Sequence, residues 1–314
     1  MQVYRDLQQL PRFKNAVITI GTFDGVHYGH VHILQQLRKV AEDCKGESVV
    51  VTFDPHPREI LFPQKSATRL LTTLDEKIEL LSQHGIDHLV IVPFTKAFSE
   101  LSAKEYLENF LVQVFNPHTI IIGYDHRFGH NREGGLPLLE AEQSRYGFQL
   151  VEIPQQVVDD LAVSSTKIRN SLIAGDVHLA NELLGYPYFL QGTVVHGDKL
   201  GRTIGFPTAN ISLNDNRKLV PAKGVYAVDV LLGDQVFQGA LNIGTRPTFD
   251  KLELRIEVYI FDFDREIYGE SIRANFHAFL REDQKFNSVD SLVEQIKLDV
   301  ENAKLYFADP YRQS

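Results

Sequence analysis

The sequence has little cysteine, no long apolar run and fewer positive than negative charges. Its 314 residues include one cysteine, Cys44, which excludes an internal disulfide framework and fits a reducing compartment. No apolar run reaches about 18 residues, the length that spans a bilayer, and no basic-plus-apolar signal opens the chain. We therefore expect a cytoplasmic protein with no membrane partner.

The charge balance limits the partners further. The chain has 41 acidic and 32 basic residues, and its formal net charge of −9 argues against broad nucleic-acid binding while allowing a local basic pocket. Neither internal repeats nor low-complexity segments are present, and the length is typical of two globular domains. We expect small-molecule partners, no nucleic acid, and a monomer or weak self-association.

The familiar phosphate-binding loops are also missing, since neither a Walker lysine motif nor G-x-G-x-x-G occurs. The stretch 21–30, GTFDGVHYGH, instead joins an apolar run to a helical pattern. His27 and His30 are three residues apart, so both can lie on one face of the first helical turn. A helix N-terminus attracts phosphate, and imidazoles there can donate hydrogen bonds to it. The alternative is two ordinary surface histidines.

The first half of the chain alternates candidate strands with amphipathic segments. The strands are predicted at 16–21, 48–54, 88–93, 118–123 and 148–154, and the helices at 29–44, 74–84, 103–115 and 136–146. This alternation predicts an α/β fold with a parallel sheet that has helices on both faces. Ligands of such sheets bind beyond the carboxyl ends of the strands, where polar clusters occur at 21–30, 52–58 and 123–134.

The second half has short β-rich runs and then a helix. The runs at 189–195, 225–232, 235–243, 252–261 and 271–279 predict a small antiparallel barrel, and a last helix is predicted from 288 to about 306. Gly185-Tyr186-Pro187 can end a preceding helix, 177–184. We therefore place the domain boundary there and expect domains at 1–185 and 186–314.

Three further clusters of the first domain could bind a nucleotide or a flat ring. Residues 52–58 form a loop stiffened by two prolines, 123–134 is a glycine-flanked charged loop, and 164–169 offers hydroxyls and an arginine at a helix start. A plain Pro-rich turn, a solvated loop and an ordinary helix cap are the respective alternatives. The candidate side chains are Phe53, Pro55, His56, Asp125, Arg127, Ser164, Thr166 and Arg169.

The second domain offers a different chemistry. Glycines 197, 201 and 205 surround a strand end, where main-chain N–H groups could wrap a polyphosphate, and Thr208 and Asn210 are oxygen ligands suited to Mg²⁺. Glu257 lies on the polar face of an alternating strand and could serve as a general base. The alternatives are hairpin glycines and a solvated strand glutamate.

The first-half motifs resemble the adenylyltransferase half of the bacterial bifunctional riboflavin kinase/FMN adenylyltransferase (FAD synthetase) family. The family patterns G-x-F-D-G-V-H-x-G-H, T-F-x-P-H-P, G-x-D-x-x-F-G and S-S-T-x-I-R match at 21–30, 52–57, 123–129 and 164–169. The resemblance implies that His27 and His30 contact the ATP phosphates and that Asp125 and the 53–56 loop lie near FMN. It assigns ligand contacts to Gly21, Phe23, Gly29 and Arg127, and triphosphate contacts to Ser164, Thr166 and Arg169. His126 departs from the family's usual aromatic residue.

The second-half motifs resemble the riboflavin kinase domain of the same family. G-x-x-x-G-R-x-x-G-F-P-T-A-N matches at 197–210, and further matches lie at 242–249, on the Glu257 strand and at 279–286. The resemblance implies a Rossmann-like nucleotidylyltransferase domain followed by a six-stranded antiparallel β-barrel with a C-terminal helix. Thr208 and Asn210 would hold Mg·ATP, Glu257 would activate the ribityl hydroxyl, and Gly197, Gly201, Gly205, Pro207, Asn242 and Arg281 would contact ligands.

The resemblance implies two consecutive reactions, from riboflavin to FMN and from FMN to FAD, with ATP as co-substrate of each. One alternative is a related nucleotidylyltransferase that acts on another phosphate, such as pantetheine phosphate. The other is a flavin sensor without turnover, which would not require His27, His30 and Glu257.

Overall fold

The computed structural model describes residues 1–62, 69–124, 126–153, 163–198, 200–247 and 252–309. They divide into two units, Met1–Ser165 and Thr166–Ser314.

A six-stranded sheet forms the centre of the first unit. Its strands lie in the order β1-β4-β3-β2-β5-β6, and every neighbouring pair is parallel, which confirms the predicted sheet. The prediction lacked β1, whose three residues are too few to produce a periodic pattern. The strands are β1 Gln2–Tyr4, β2 Val17–Ile20, β3 Ser48–Asp54, β4 His88–Pro93, β5 Thr119–Gly123 and β6 Gln149–Ile153.

Helices connect these strands, and the four predicted helical segments are confirmed. In α1, Leu34, Leu37 and Ala41 recur at helical spacing and are buried, which explains why this segment folds as an amphipathic helix. A π-helical segment, Tyr106–Val112, joins two short helices into one continuous element. The helices of this unit are α1 Tyr28–Asp43, α2 Pro57–Leu61, α3 Leu74–Ser82, α4 Lys96–Ser99, α5 Ala103–Glu105, α6 Gln113–Phe115 and α7 Leu136–Tyr146.

The strand order reverses direction between β2 and β5. The chain moves from β2 through β3 to β4 on one side, and then crosses to β5 and β6 on the other. Such a reversal is where ligands of parallel sheets bind, beyond the carboxyl ends of the strands. The loops after β2, β3 and β5 are therefore neighbours at that edge.

A closed six-stranded antiparallel barrel forms most of the second unit, as predicted. Its order is β10-β11-β8-β7-β12-β9. The β-rich runs predicted from the sequence did not include β8, because that strand is short and follows glycine and proline. The strands are β7 Phe189–Val195, β8 Ala209–Leu213, β9 Gly224–Leu232, β10 Gln235–Pro247, β11 Leu252–Ile260 and β12 Ser271–Glu282.

The helices described after β6 are α8 Ser165–Ile173, α9 Val177–Leu184, α10 Leu200–Thr203 and α11 Val289–Ala308. The predicted helix α9 ends at Gly185, which has a φ of +86°. Asn181 of α9 donates a hydrogen bond to the carbonyl of Phe276 in β12 at 2.8 Å, so α9 is fixed to the barrel. This packing explains why the second unit begins at residue 166, before the predicted domain boundary at 185/186.

Candidate active sites

The histidine loop, residues 21–30, leaves β2 and enters α1 through an unusual backbone. Phe23, Gly25 and Val26 have φ values of +46°, +90° and +38°, although such angles are disfavoured for Phe and Val. The Phe23 and Val26 side chains are buried at 2% and 1% exposure. Surrounding contacts must therefore hold this conformation.

Asp24 supplies much of that support. Its buried carboxylate accepts hydrogen bonds from the backbone N–H groups of Leu71 and Thr72 at 2.9 and 3.0 Å. The N–H of Gly25 donates to Thr72 Oγ1 at 3.1 Å, and Ser165 Oγ donates to the Asp24 carbonyl at 3.0 Å. The sequence reading did not single out Asp24 as a support, because its partners lie far along the chain and form no local pattern.

The two histidines lie together, as their spacing predicted. His27 precedes the first turn of α1, and its ring stacks on that of His30 with 3.7 Å between centroids. Phe23 packs against His30 at 5.1 Å. A Cβ on Gly29 would be 3.3 Å from the His27 ring, and one on Gly21 would be 3.1 Å from the Phe23 ring. Both glycines therefore leave space for the aromatic stack.

The surroundings of His30 keep its imidazole neutral. Burial lowers the pKa of His30 well below its usual value, and electrostatic interactions with His27 and Lys77 lower it further. Among the described residues, no partner bonds to its buried Nδ1. A neutral imidazole at a helix start still has one N–H that can donate a hydrogen bond to a phosphate.

The proline-rich loop after β3 is a supported turn. Phe53 is 9% exposed and packs edge-on against Phe94 at 5.5 Å. Nδ1 of His56 accepts the Arg58 N–H at 3.1 Å and caps α2. Pro55 lies between them, after a cis peptide bond. Phe53 and His56 thus stabilise the loop itself. That they lie near FMN stays a prediction.

For the remaining residues predicted in the first site, the structure gives their exposure but few of their contacts. Asp125 lies outside the described residues. Arg127 is exposed and donates to the His126 carbonyl at 3.0 Å. At the start of α8, Ser164 and Thr166 are exposed, and Arg169 follows on that helix with intermediate exposure. Their contacts with a triphosphate stay predictions.

In the barrel, three adjacent strands align the polar side chains of the second site. Glu257 on β11 pairs with Asn210 on β8 and with Asn242 on β10. Residues that pair in register point to the same face of a sheet, so the carboxylate lies between two side-chain amides. The predicted alternation of β11 is confirmed at Ile256 and Val258, which are buried at 5% and 0%. Leu254 is an exception, since it is 46% exposed.

A cavity of about 510 Å³ opens in front of this carboxylate. The predicted residues Gly197, Gly201, Pro207, Thr208, Asn210 and Glu257 line it, together with Asp198, Arg202, Arg255 and Tyr268. The structure thus brings most of the predicted kinase residues together.

Two glycines of this site are required by close approach. A Cβ on Gly197 would collide with the Asn210 amide, and one on Gly201 would collide with the Phe206 carbonyl. Gly205 has a φ of +87°, a conformation that favours glycine. Gly197 and Gly201 therefore shape the wall of the cavity, which is compatible with the predicted polyphosphate wrap.

Arg255 was not predicted as a site residue. Its Nη1 donates to Asp198 at 2.9 Å and lies 3.8 Å from Glu257 Oε1. The signal available in the sequence was its position two residues before Glu257, which puts both side chains on one face of β11. Arg255 therefore keeps Asp198 close to the Glu257 carboxylate.

Arg281, predicted to contact a ligand, makes a structural ion pair. Its Nε and Nη2 donate to the two carboxylate oxygens of Asp299 on α11, each at 2.7 Å. Asp299 is 5% exposed and also accepts from Gln295 at 2.9 Å. This bidentate pair attaches α11 to β12, and a ligand contact by Arg281 stays a prediction.

A parallel α/β unit with a histidine pair and a barrel with a carboxylate between two amides are features expected of a transferase. A family model described as FAD synthetase matches residues 10–167, and one described as riboflavin kinase matches residues 184–307. The chain belongs to the bifunctional riboflavin kinase/FMN adenylyltransferase family.

Relatives that carry both activities in their names align over nearly the full chain. The bifunctional riboflavin kinase/FMN adenylyltransferase of Listeria monocytogenes is 40% identical over 295 residues, covering 94% of this chain and 93% of its own length. The protein of that name from Haemophilus influenzae is 41% identical over 309 residues, covering 98% of this chain and 99% of its own length. This coverage includes both sites.

One solved structure is similar to this chain in sequence and in fold. The crystal structure of a macrolide-efflux protein from Streptococcus pneumoniae has a TM-score of 0.84 and 32% identity, covering 95% of this chain and 96% of its own. The word efflux describes that protein and is not applied to the present chain. Within the described part of the present chain, every helix is too short or too polar to cross a bilayer.

Proposed function

We infer that this chain is a bifunctional enzyme of flavin-cofactor synthesis. It phosphorylates riboflavin to FMN with ATP, and it adenylylates FMN to FAD with a second ATP, releasing pyrophosphate. The observation that carries this conclusion is that family models for both activities match the chain, one over residues 10–167 and the other over residues 184–307.

In the adenylyl transfer, an FMN phosphate oxygen forms a bond to the α-phosphorus of ATP while the bond to the β-phosphate breaks. The FMN phosphate is already an anion, so positioning and charge stabilisation suffice and no base is required. We assign the stabilisation to His27 and His30 at the start of α1. The stacked rings, with 3.7 Å between their centroids, support this role because they place the two imidazoles side by side at the start of α1.

The other residues of the first site keep the roles that the resemblance implies. Ser164, Thr166 and Arg169 would bind the triphosphate, and Asp125, Arg127 and the 53–56 loop would bind FMN. Because Phe53 and His56 are largely buried, we assign to them the support of that loop, with Pro55 nearer to the ligand.

In the kinase reaction, the 5′-hydroxyl of riboflavin must lose a proton as it attacks the γ-phosphorus of ATP. Glu257 would accept this proton, the new O–P bond would form as the bond to ADP breaks, and ADP would leave with that electron pair. The position of Glu257 between Asn210 and Asn242 supports this role. Glutamine at 257 would keep the shape and lose the base.

The residues present fit a magnesium ion bound with the nucleotide. Thr208 and Asn210 offer oxygen ligands and line the same cavity as Glu257. Among the described residues, no group of three His, Cys, Asp or Glu could hold a metal ion. When bound, Mg²⁺ would neutralise phosphate charge. The cytoplasmic location and the monomeric or weakly associating state remain predictions.

A chromatographic time course with riboflavin, ATP and Mg²⁺ tests the proposal. We expect FMN to appear first and FAD to follow. FMN without FAD, also when FMN is supplied, would refute the assignment of the histidine site. FAD from supplied FMN but none from riboflavin would refute the Glu257 site. Bound flavin without either product would favour a flavin sensor.

A further inference from the structure

Lys77 is a buried lysine that the roles proposed above do not use. It lies on α3 and is 6% exposed. Lysine is seldom buried, because removing an ammonium group from water is costly. A buried lysine next to a phosphate-binding loop is therefore a candidate functional group.

The fold directs Lys77 toward the histidine loop. Thr73 caps α3 in a capping box with Glu76, and the two residues before this cap are those that bind the Asp24 carboxylate. One short segment thus holds the loop and starts the helix that carries Lys77. Any movement of α3 would therefore shift both the histidine loop and Lys77.

A chain of hydrogen bonds joins Lys77 to the loop itself. Lys77 Nζ donates to Thr52 Oγ1 at 3.4 Å, and Thr52 Oγ1 donates to the carbonyl oxygen of Thr22 at 3.2 Å. Thr52 is fully buried on β3. The ammonium group therefore supports Thr22, the second residue of the histidine loop.

Lys77 also acts on His30 through its charge. After burial and the interaction with His27, the interaction with Lys77 lowers the pKa of His30 further. A fixed charge in a site that excludes water is felt much more strongly than one in solvent. The same field would favour a triphosphate above the start of α1.

We propose that Lys77 is a positioning residue of the adenylyl transfer. Its ammonium group holds the Thr22 carbonyl through Thr52 and supplies fixed positive charge beneath the histidine pair, which favours the triphosphate and the departing pyrophosphate. Lys77 exchanges no proton in the reaction. This role rests on the proposed function of the first unit.

Substitutions in the full chain test the role. Lys77→Met removes the charge and keeps much of the volume, Lys77→Arg keeps the charge, and Thr52→Val removes the intermediate hydroxyl. Lys39→Met, an exposed lysine on α1, is the matched control. For each variant, kcat/KM for ATP is measured with FMN as acceptor, together with riboflavin phosphorylation and the melting temperature.

We expect Lys77→Met to lower kcat/KM for FAD formation by about tenfold or more. Riboflavin phosphorylation and the melting temperature should not fall, because methionine removes a buried charge without leaving a cavity. Lys77→Arg should recover part of the loss, Thr52→Val should lose less than Lys77→Met, and Lys39→Met should match the wild type. By NMR, the His30 imidazole should titrate at higher pH in Lys77→Met.

Two results would overturn this role. One is wild-type FAD formation by Lys77→Met. The other is a loss of FAD formation that follows a fall in melting temperature and is equal in Lys77→Met and Lys77→Arg, because Lys77 would then be only structural. Failure of the wild-type chain to convert FMN into FAD would instead refute the proposed function.

Discussion

The two proposed sites differ in the charge of their side chains. In the first unit, two stacked imidazoles lie at the start of α1, and the buried Lys77 donates a hydrogen bond to Thr52. The second places the carboxylate of Glu257 between two amides, next to Arg255. The acceptors explain the difference: FMN brings an ionised phosphate, whereas riboflavin brings a hydroxyl that must lose a proton. The protonation state of the acceptor thus decides whether a site needs a base.

The sites also differ in how they are supported. The histidine loop depends on Asp24, whose partners Leu71 and Thr72 are distant in the sequence. Glu257 depends on the register of adjacent strands. We therefore expect the first site to be sensitive to remote substitutions and the second to substitutions within the barrel strands.

The largest effect is expected from His30→Ala. Loss of a neutral donor at the developing charge should lower FAD formation from FMN by about 10²- to 10³-fold, while FMN formation from riboflavin survives. His32→Ala, on another face of α1, is the control. Loss of both activities in a folded variant would contradict the separation of the two sites.

Glu257→Gln should have the next largest effect. Without the base, we expect kcat for riboflavin phosphorylation to fall by about 10²-fold or more. FAD formation from supplied FMN should stay unchanged, and so should both activities of Glu270→Gln, an exposed residue of the barrel. A kinase rate near that of the wild type would remove Glu257 from its role and weaken the contrast between the acceptors.

Asp24→Ala tests the remote support of the first site. It leaves two buried N–H groups without their acceptor, and each such loss costs about 1–3 kcal/mol. We expect denaturant unfolding of the first unit at correspondingly lower concentration, a loss of FAD formation, and little change in riboflavin phosphorylation. Asp43→Ala, at the exposed end of α1, is the control. Unchanged stability of Asp24→Ala would show that the loop does not need this carboxylate.

The smallest expected effect is a pH dependence limited to the first unit. Because the folded-state pKa of His30 lies below its usual value of 6.5, the unfolded chain binds the proton first as the pH falls below 6.5. The contribution of His30 to stability is therefore intact above pH 6.5 and decreases as the pH falls toward the folded-state pKa. His30→Gln should flatten the pH dependence of the unfolding free energy in this range. An identical pH profile in the two proteins would contradict the neutral imidazole.

Much of the fold and part of the sites could be predicted from the sequence. Alternation of strands and helices predicted the parallel sheet, and the three-residue spacing predicted that His27 and His30 share a face. Those signals are local, because neighbours in sequence repeat at the period of a helix or strand.

The supporting contacts could not be predicted in this way. The bonds of Asp24 to 71–72 and the position of Lys77 beneath Thr52 join segments that no periodic pattern connects. Arg281 lies in a motif, yet its guanidinium bonds to Asp299 on α11. Long-range pairing depends on the packed fold rather than on local sequence.

The most direct test of the two separate sites is to mix two defective enzymes. His30→Ala and Glu257→Gln are combined in equal amounts with riboflavin, ATP and Mg²⁺, and FAD is measured over time. We expect the mixture to form FAD, because FMN made by the first variant is adenylylated by the second, while neither variant alone forms FAD at an appreciable rate. No FAD from the mixture, although each variant keeps its remaining activity, would contradict two sites that work independently.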